Sequence, residues 1–196
     1  MFSTLTSTDL ALIAFAYLLG SVPSAIVVSR VFNLQDPRRH GSGNPGATNM
    51  LRTGHRTAAI LTLIGDLAKG YLPVYVAIQL ELQSINIGLV GLAAIIGHLL
   101  PIFYQFRGGK GVATSLGACL GFSLYLGLAQ MICWVIVVGL SRTSSIAALT
   151  TALVTPALGF FLAPQYSLAC LLIALLMFYR HRSNLQNLLK GNEHRL

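Results

Sequence analysis

The chain has 196 residues, of which 55% are hydrophobic and 9% are Asp, Glu, Lys or Arg, whereas a soluble domain carries about 25% of these charged residues. With a mean hydropathy of +0.72, this composition excludes a soluble globular domain and a disordered chain. The net charge of +8 does not indicate a nucleic-acid partner, because the basic residues cluster between apolar segments, as in the cytoplasmic loops of membrane proteins. We therefore predict a single membrane domain over residues 1–196.

Six long apolar segments follow one another along the chain, and each is nearly free of charged residues. In lipid, only helices and closed barrels satisfy every backbone polar group. The segments lack the strict polar–apolar alternation of barrel strands, so they predict an all-α polytopic integral membrane protein. The segments cover residues 10–29, 57–79, 86–105, 113–140, 145–162 and 166–179.

The first polar stretch, at 36–56, concentrates small and polar residues in its part 40–52. Three glycines there let the backbone approach a ligand closely, and successive free N–H groups can form an anion-binding concavity. Arg52 adds a guanidinium that suits phosphate. We therefore predict that this loop binds a phosphate group and does more than satisfy its own backbone. The neutral polar side chains of the loop are Ser42, Asn44, Thr48 and Asn49.

Two charged residues, Asp66 and Lys69, lie inside the apolar segment 57–79. Ionisable groups in a membrane span are costly and usually face protein or water. Their spacing of three residues puts them on one helix face, where they can pair. The sequence leaves two roles open, a purely structural ion pair and a support for a polar site on the cytoplasmic side.

A second glycine-rich stretch, at 106–115, surrounds Lys110 with three glycines just before an apolar helix. Helix N-termini bind anions through free N–H groups and the helix dipole. The spacing is not that of a Walker A loop, so nucleotide binding is not supported. Alone, the stretch could be a helix break flanked by basic residues, but together with 40–52 on the same membrane face it predicts a two-loop phosphate site.

The apolar segment 113–140 decides the predicted topology, because as one helix it would extend about 42 Å. A single crossing would leave Arg142 and the basic tail 180–195 outside, opposite to the earlier basic loops. If the segment instead folds as two short helices that meet near 121–127, every basic cluster falls on the cytoplasmic side. We therefore predict seven transmembrane helices, two of them short, with the N-terminus outside and the C-terminus cytoplasmic; six spans are the alternative.

Two further polar segments, at 141–145 and 180–193, complete the cytoplasmic face. The first predicts the N-cap of the following helix, and the leucines of the second predict a short amphipathic helix on the membrane surface. His181 and Asn184 are three residues apart, so both can point into one polar pocket. Attraction to anionic lipid headgroups explains this tail equally well.

The sequence offers no metal site or familiar catalytic motif. The three cysteines, at 119, 133 and 170, lie far apart in apolar runs, so we predict that they are reduced and buried. Neither a His–Asp acyltransferase dyad of H-x-x-x-x-D spacing nor a G-x-S-x-G elbow or H-E-x-x-H helix occurs in the sequence.

Four motifs, SGNPGATN followed by Arg52, GDLAKG, GGKGVAT, and HRSN followed by GNE, resemble those of the PlsY family of bacterial membrane glycerol-3-phosphate acyltransferases, over nearly the whole chain. The resemblance implies transfer of a fatty acyl group from acyl phosphate to the 1-position of sn-glycerol 3-phosphate, the first acylation of phospholipid synthesis. The products would be lysophosphatidic acid and phosphate. It also implies seven helices in the inner membrane, a site on the cytoplasmic face, no metal or other cofactor, and functional coupling to the enzyme that makes acyl phosphate.

Carried onto this chain, the resemblance implies four catalytic and eight substrate-binding residues. It makes Glu193 structural, and it leaves Ser144 as the alternative to Ser145. The predicted catalytic residues are Ser42, Arg52, Lys110 and His181. The predicted substrate-binding residues are Asn44, Thr48, Asn49, Gly108, Gly109, Gly111, Ser145 and Asn184.

An acyl phosphate donor determines what such a site must do. It is a mixed anhydride and already activated, so the site has to hold two anions together and align a hydroxyl with the carbonyl. No serine has a visible base partner, which predicts direct transfer without an acyl-enzyme. Either His181 or a substrate phosphate oxygen would take the proton. A transporter of small organic phosphates is the alternative function, but it would need a site near the bilayer midplane.

Overall fold

The computed structural model describes residues 5–195, which are helical apart from turns and loops, with no strand in that range. The predicted all-α class is therefore confirmed, while residues 1–4 and 196 of the predicted domain lie outside the described residues. The ten α-helices of this range are α1 Ser7–Gly20, α2 Ser24–Val31, α3 Ala47–Leu51, α4 Arg56–Gln79, α5 Ser84–Leu99, α6 Val112–Phe122, α7 Leu124–Ser141, α8 Ser144–Leu162, α9 Ser167–Arg180 and α10 Arg182–Leu189. Short 3-10 turns lie at Pro37–Arg39, Ile102–Tyr104 and Pro164–Tyr166.

Membrane-crossing length divides these helices into two groups. Helices α4, α7 and α8 are each long and apolar enough to cross a bilayer, and so is α5 together with the turn that follows it (Ser84–Tyr104). Helix α1 with α2 passes the same test as a bent pair. Helices α6 and α9 are apolar but shorter. Within residues 5–195, length and composition therefore support four spans, or five with the bent pair, and the count of seven stays a prediction.

The first apolar segment is not the continuous helix that its hydropathy predicts. Helix α1 ends at Gly20 and α2 begins at Ser24, with a bend of 46° between them. Pro23 lies at the bend and has no N–H to donate, which interrupts the hydrogen-bond ladder. The carbonyl oxygen of Val22 instead accepts a hydrogen bond of 2.8 Å from Lys69 Nζ, so the bend is tied to α4.

The segment 113–140 does fold as two helices, as the charge distribution predicted. They meet at Ser123, which is extended at φ −161° and ψ 130° and whose side chain caps α7. Helix α6 has 11 residues, so at 1.5 Å per residue it is only about 16 Å long. Helix α7 has 18 residues and is long enough to cross a bilayer, so the prediction that both halves are short is confirmed for α6 and wrong for α7, because the break lies nearer the start of the segment than its middle.

Glycines let the central helices approach closely. A Cβ added to Gly70 of α4 would overlap the carbonyl of Thr114, and one added to Gly117 of α6 would overlap the carbonyl of Leu67. Small residues of this kind are typical of helix contacts in membranes, where close backbone packing replaces the hydrophobic effect. Helices α4 and α6 thus pack closely against each other, as do α1 and α5.

The structure largely agrees with the predictions for the three cysteines and for the charged pair in α4. All three cysteines are free, and Cys119 and Cys170 are buried, but Cys133 is only partly buried. This difference arises because α7 is the most exposed of the long helices, with 17% of its apolar window buried. The predicted pairing of Asp66 with Lys69 is confirmed at 2.9 Å between Oδ1 and Nζ.

We expect Gly117→Ala to destabilise the bundle by about 1–3 kcal/mol, because the new methyl group would push α6 away from the α4 backbone. Gly139→Ala is the matched control, since nothing lies within 4 Å of a Cβ at that position. Thermal unfolding in detergent should show a lower midpoint for Gly117→Ala and no loss for Gly139→Ala. Equal midpoints for the two variants would contradict the close packing.

Candidate active site

The loop between α2 and α4 is shaped by two glycines and one asparagine. Gly41 and Gly43 adopt φ of +56° and +67°, which favour glycine. Asn49 is buried, and its Oδ1 accepts a 3.0 Å hydrogen bond from the Ser42 N–H. Its Nδ2 donates to the carbonyls of Pro37 at 2.7 Å and His40 at 3.2 Å. The side chain predicted to bind substrate is therefore occupied by the backbone of its own loop.

The second loop is held from two sides. The Gly109 N–H donates to the carbonyl of His98 at 3.1 Å. From the opposite side, Arg180 donates to the carbonyls of Gly108 at 3.0 Å and Gly109 at 2.9 and 3.2 Å. Gly111 then turns the chain into α6 with φ of +84°. These contacts fix the backbone on which Lys110 is carried.

The two loops, the end of α9 and the start of α10 line an open cavity of about 250 Å³. Three basic side chains face it, and no acidic residue is among its described lining residues. Because its polar groups are cations, hydroxyls and backbone amides, the cavity suits a phosphate group. Its lining residues are Ser42, Gly43, Asn44, Gly108, Lys110, Arg180, Arg182 and Ser183.

Four predicted site residues meet in this cavity, and four of its lining residues were missed. The predicted residues are Ser42, Asn44, Gly108 and Lys110, and the missed ones are Gly43, Arg180, Arg182 and Ser183. The sequence signal for Arg180 and Arg182 was present, since both belong to a basic cluster. Membrane topology also accounts for their charge, and hydropathy alone does not show that α9 ends against the second loop.

Arg52 is not among the lining residues of this cavity, although it is near enough to Lys110 to lower the pKa of its ammonium group. It lines a second cavity of about 450 Å³, and Thr48 is at the edge of neither cavity. The two cavities are adjacent, because Ser42 lines the first and the preceding residue, Gly41, lines the second. The remaining residues of the second cavity are Leu34, Gln35, His40, Thr53 and His55.

The C-terminal tail closes a hydrogen-bonded cluster around Glu193. Ser145 Oγ donates to Glu193 Oε1 at 2.8 Å, and Asn184 Nδ2 donates to the same oxygen at 2.6 Å. Ser145 is buried whereas Ser144 is partly exposed, so Ser145 is the serine that faces inward. Glu193 Oε2 and Asn184 Oδ1 are buried without a hydrogen-bond partner, which leaves two acceptors at this point.

His181 lies just after α9 and is buried. Its Nδ1 is 2.8 Å from the carbonyl oxygen of Met177, and because a carbonyl can only accept, Nδ1 carries the proton and Nε2 presents a lone pair. Burial lowers the pKa of His181 to about 4, and Lys110 and Arg180 act in the same direction. His181 is therefore neutral near pH 7 and serves better as a hydrogen-bond acceptor than as a general base.

Lys110 is partly buried in a cationic environment. Burial lowers the pKa of its ammonium group, and the neighbouring Arg52 and Arg180 lower it further, while Glu193 opposes them. A phosphate in the cavity would counteract both effects, because an opposite charge favours the charged form of Lys110. Anion binding and protonation of Lys110 are thus coupled.

Comparison with known proteins gives a consistent result. A family model described as glycerol-3-phosphate acyltransferase matches residues 10–191. The glycerol-3-phosphate acyltransferase of Thioalkalivibrio sulfidiphilus is 53% identical over 93% of this chain and 91% of its own length, and that of Bordetella pertussis is 49% identical over 95% and 91%. The crystal structure of PlsY (YgiH), an integral membrane glycerol 3-phosphate acyltransferase, in its glycerol 3-phosphate form has a TM-score of 0.92 and 34% identity, covering 97% of this chain and 96% of that one. The lysophosphatidic acid form of PlsY gives a TM-score of 0.90 at 33% identity.

We expect acid to destabilise the protein through His181. Because the pKa of His181 in the folded chain lies below its ordinary 6.5, the unfolded chain binds a proton first as the pH falls, so stability decreases from about pH 6.5 towards about pH 4. The thermal midpoint of the wild type should therefore fall more steeply in this window than that of His181→Asn. His194→Asn, at an exposed position, is the matched control and should follow the wild type. Parallel curves for the wild type and His181→Asn would contradict the low pKa.

Proposed function

The chain belongs to the glycerol-3-phosphate acyltransferase family, and we propose that it transfers a fatty acyl group from acyl phosphate to the 1-hydroxyl of sn-glycerol 3-phosphate. The products are lysophosphatidic acid and inorganic phosphate. The observation that carries this proposal is the cavity between the two glycine loops, where Lys110, Arg180 and Arg182 face one another without an acidic lining residue among those described. Such a cavity can bind the phosphate of either substrate.

The donor is proposed from the chemistry that the site offers. An acyl phosphate needs no activation by the protein, only a place for its phosphate and a nucleophile held against its carbonyl. Two adjacent cavities, with Lys110 at one and Arg52 at the other, match a reaction in which two anions must lie side by side. Electrostatic stabilisation of the departing phosphate is then the main catalytic contribution of the two cations.

Transfer proceeds directly in this proposal. The 1-hydroxyl oxygen bonds to the carbonyl carbon, the bond between that carbon and the phosphate oxygen breaks, and a phosphate oxygen takes the hydroxyl proton. His181 accepts a hydrogen bond from the glycerol moiety through Nε2, since its pKa of about 4 makes it a weak base. The Ser42 hydroxyl accepts one described hydrogen bond, from the Asn44 N–H at 3.5 Å, so its own hydrogen can be donated to a substrate. Because no described base is bonded to this hydroxyl, Ser42 binds substrate in this proposal and does not act as a nucleophile.

The membrane arrangement completes the proposal. The bent pair α1–α2, the four long helices and the two shorter ones, α6 and α9, make seven crossings with the N-terminus outside and the C-terminus in the cytoplasm. Both glycine loops, the start of α8 and the tail then lie on the cytoplasmic face of the inner membrane. The acyl donor arrives from the bilayer and glycerol 3-phosphate from the cytoplasm, which favours functional coupling to the enzyme that makes acyl phosphate. A transporter is disfavoured because the chain is an acyltransferase by family.

We expect purified protein to release phosphate from palmitoyl phosphate when glycerol 3-phosphate is added, without added metal. Arg52→Ala and Lys110→Ala should each lower kcat/KM by about 100-fold or more, as for other groups that stabilise charge developed in the transition state. Lys190→Ala removes the same charge at an exposed position and should retain wild-type activity. Full activity in both site variants would overturn the proposed site, and no lysophosphatidic acid from the wild type would overturn the function.

We expect no covalent acyl-enzyme. Protein incubated with acyl-labelled acyl phosphate in the absence of glycerol 3-phosphate should carry no label after denaturation, because no base activates a serine. The measurement is label retained by the denatured chain, with Ser42→Ala as the control for any adduct found. Stoichiometric label on the wild type that is missing from Ser42→Ala would refute direct transfer.

A further inference from the structure

A cluster of three ionisable side chains lies buried among the membrane helices beneath the candidate site. Asp66 and Lys69 of α4 are 3% and 4% exposed, and His98 of α5 is 6% exposed. Asp66 Oδ1 lies 2.9 Å from Lys69 Nζ and 3.6 Å from His98 Nδ1. None of the three touches either cavity, so the proposed function assigns them no role.

Simple structural stabilisation is a weak explanation for this cluster. Removing charges from water costs about as much as their mutual attraction returns, and apolar residues of similar size often stabilise a core as well or better. A buried charged group can instead fix one geometry, because few arrangements satisfy its partners. The contacts made by His98 and Lys69 indicate which geometry is fixed.

His98 forms the floor of the second glycine loop. Its carbonyl accepts the Gly109 N–H at 3.1 Å, and a Cβ on Gly108 would overlap that carbonyl. The ring lies so close that a Cβ on Gly109 would overlap Nε2. With Nδ1 turned towards Asp66, the other edge of the ring supports the loop that carries Lys110.

Lys69 extends the same cluster towards the first glycine loop. Its ammonium group donates to the Val22 carbonyl at the bend between α1 and α2. Helix α2 begins at that bend and ends at Val31, a few residues before the stretch 36–56 that contains Ser42. One cluster therefore contacts the segments that precede both loops of the phosphate cavity.

We propose that Asp66, Lys69 and His98 are positioning residues that set the distance between the two glycine loops and so the fit of the cavity to a phosphate. The proposal rests on the proposed function, since it requires glycerol 3-phosphate to be a substrate of this cavity. Loss of the cluster loosens the loops and weakens substrate binding, while the helices remain assembled. It therefore raises the KM for glycerol 3-phosphate, whereas a purely structural role would lower the active fraction and leave KM unchanged.

The first test is the double variant Asp66→Asn/Lys69→Met, which removes both charges without leaving one buried alone. We expect the KM for glycerol 3-phosphate to rise about tenfold or more, as for displaced binding groups, with a smaller change in kcat. The matched control is Gln130→Leu/Thr155→Val, which removes another buried polar pair, bonded at 2.7 Å between α7 and α8. The control should keep the wild-type KM, even if its thermal midpoint falls.

A second test keeps the ion pair intact and does not depend on folding of the double variant. His98→Leu removes the polar contact with Asp66 and should raise KM, whereas His98→Asn retains a nitrogen near the position of Nδ1 and should recover part of the affinity, the rest being lost with the ring edge that faces Gly109. Calorimetric titration with glycerol 3-phosphate, which needs no turnover, should rank the affinities in the same order: wild type, then His98→Asn, then His98→Leu. Equal KM values for the wild type and His98→Leu would overturn the positioning role.

A third test addresses the contact with the loop itself. Gly109→Ala should raise KM strongly because its methyl group would meet the His98 ring. In a His98→Asn background the ring is absent, so the factor by which Gly109→Ala raises KM should be at least about threefold smaller than in the wild type, as expected for residues in contact. Independent, multiplicative effects would contradict the contact.

Failure of this inference is distinguishable from failure of the proposed function. If the wild type forms lysophosphatidic acid and Lys110→Ala forms it far more slowly, the function stands. Unchanged KM values in Asp66→Asn/Lys69→Met and His98→Leu would then reject the positioning role alone. A wild type that neither binds nor acylates glycerol 3-phosphate would reject both.

Discussion

The hydrogen bonds from Arg180 to the carbonyls of Gly108 and Gly109 are the contacts on which the site depends. They join the end of the last apolar helix to the second glycine loop. Because backbone carbonyls satisfy the guanidinium donors without neutralising the charge, Arg180 stays fully cationic at the cavity. A carboxylate in the same position would cancel that charge and compete with an incoming phosphate. Three cations can thus share one cavity in a chain with only five acidic residues.

Much of the architecture follows from hydropathy and charge. Long apolar runs predict helices because lipid offers the backbone no other partner, and the distribution of basic residues predicted the interruption that the structure has at Ser123. The spacing of Asp66 and Lys69 predicted their pairing. These features depend on one segment at a time, or on a charge count along the chain, and such information is present in a single sequence.

The remaining features depend on contacts between distant segments. Asn49 resembles a substrate ligand in sequence, but its partners, the backbone groups at 37, 40 and 42, are defined only by the folded loop. Arg180 resembles a topology determinant until α9 is seen to end against the second loop. His98 lies inside an apolar run, and nothing in that run shows that its ring packs on Gly109. The glycines gave the position of the loops, and tertiary packing decided which side chains line them.

The Glu193 cluster also bears on when the site forms during biosynthesis. Glu193 follows all the membrane helices in the chain, yet it holds Ser145 and Asn184 together. Arg180 likewise emerges from the ribosome long after the glycine loops that it fastens. A chain that is still being inserted therefore has its loops but lacks the groups that close them. The cavity with its three basic side chains is therefore complete only after the last segment of the chain has docked.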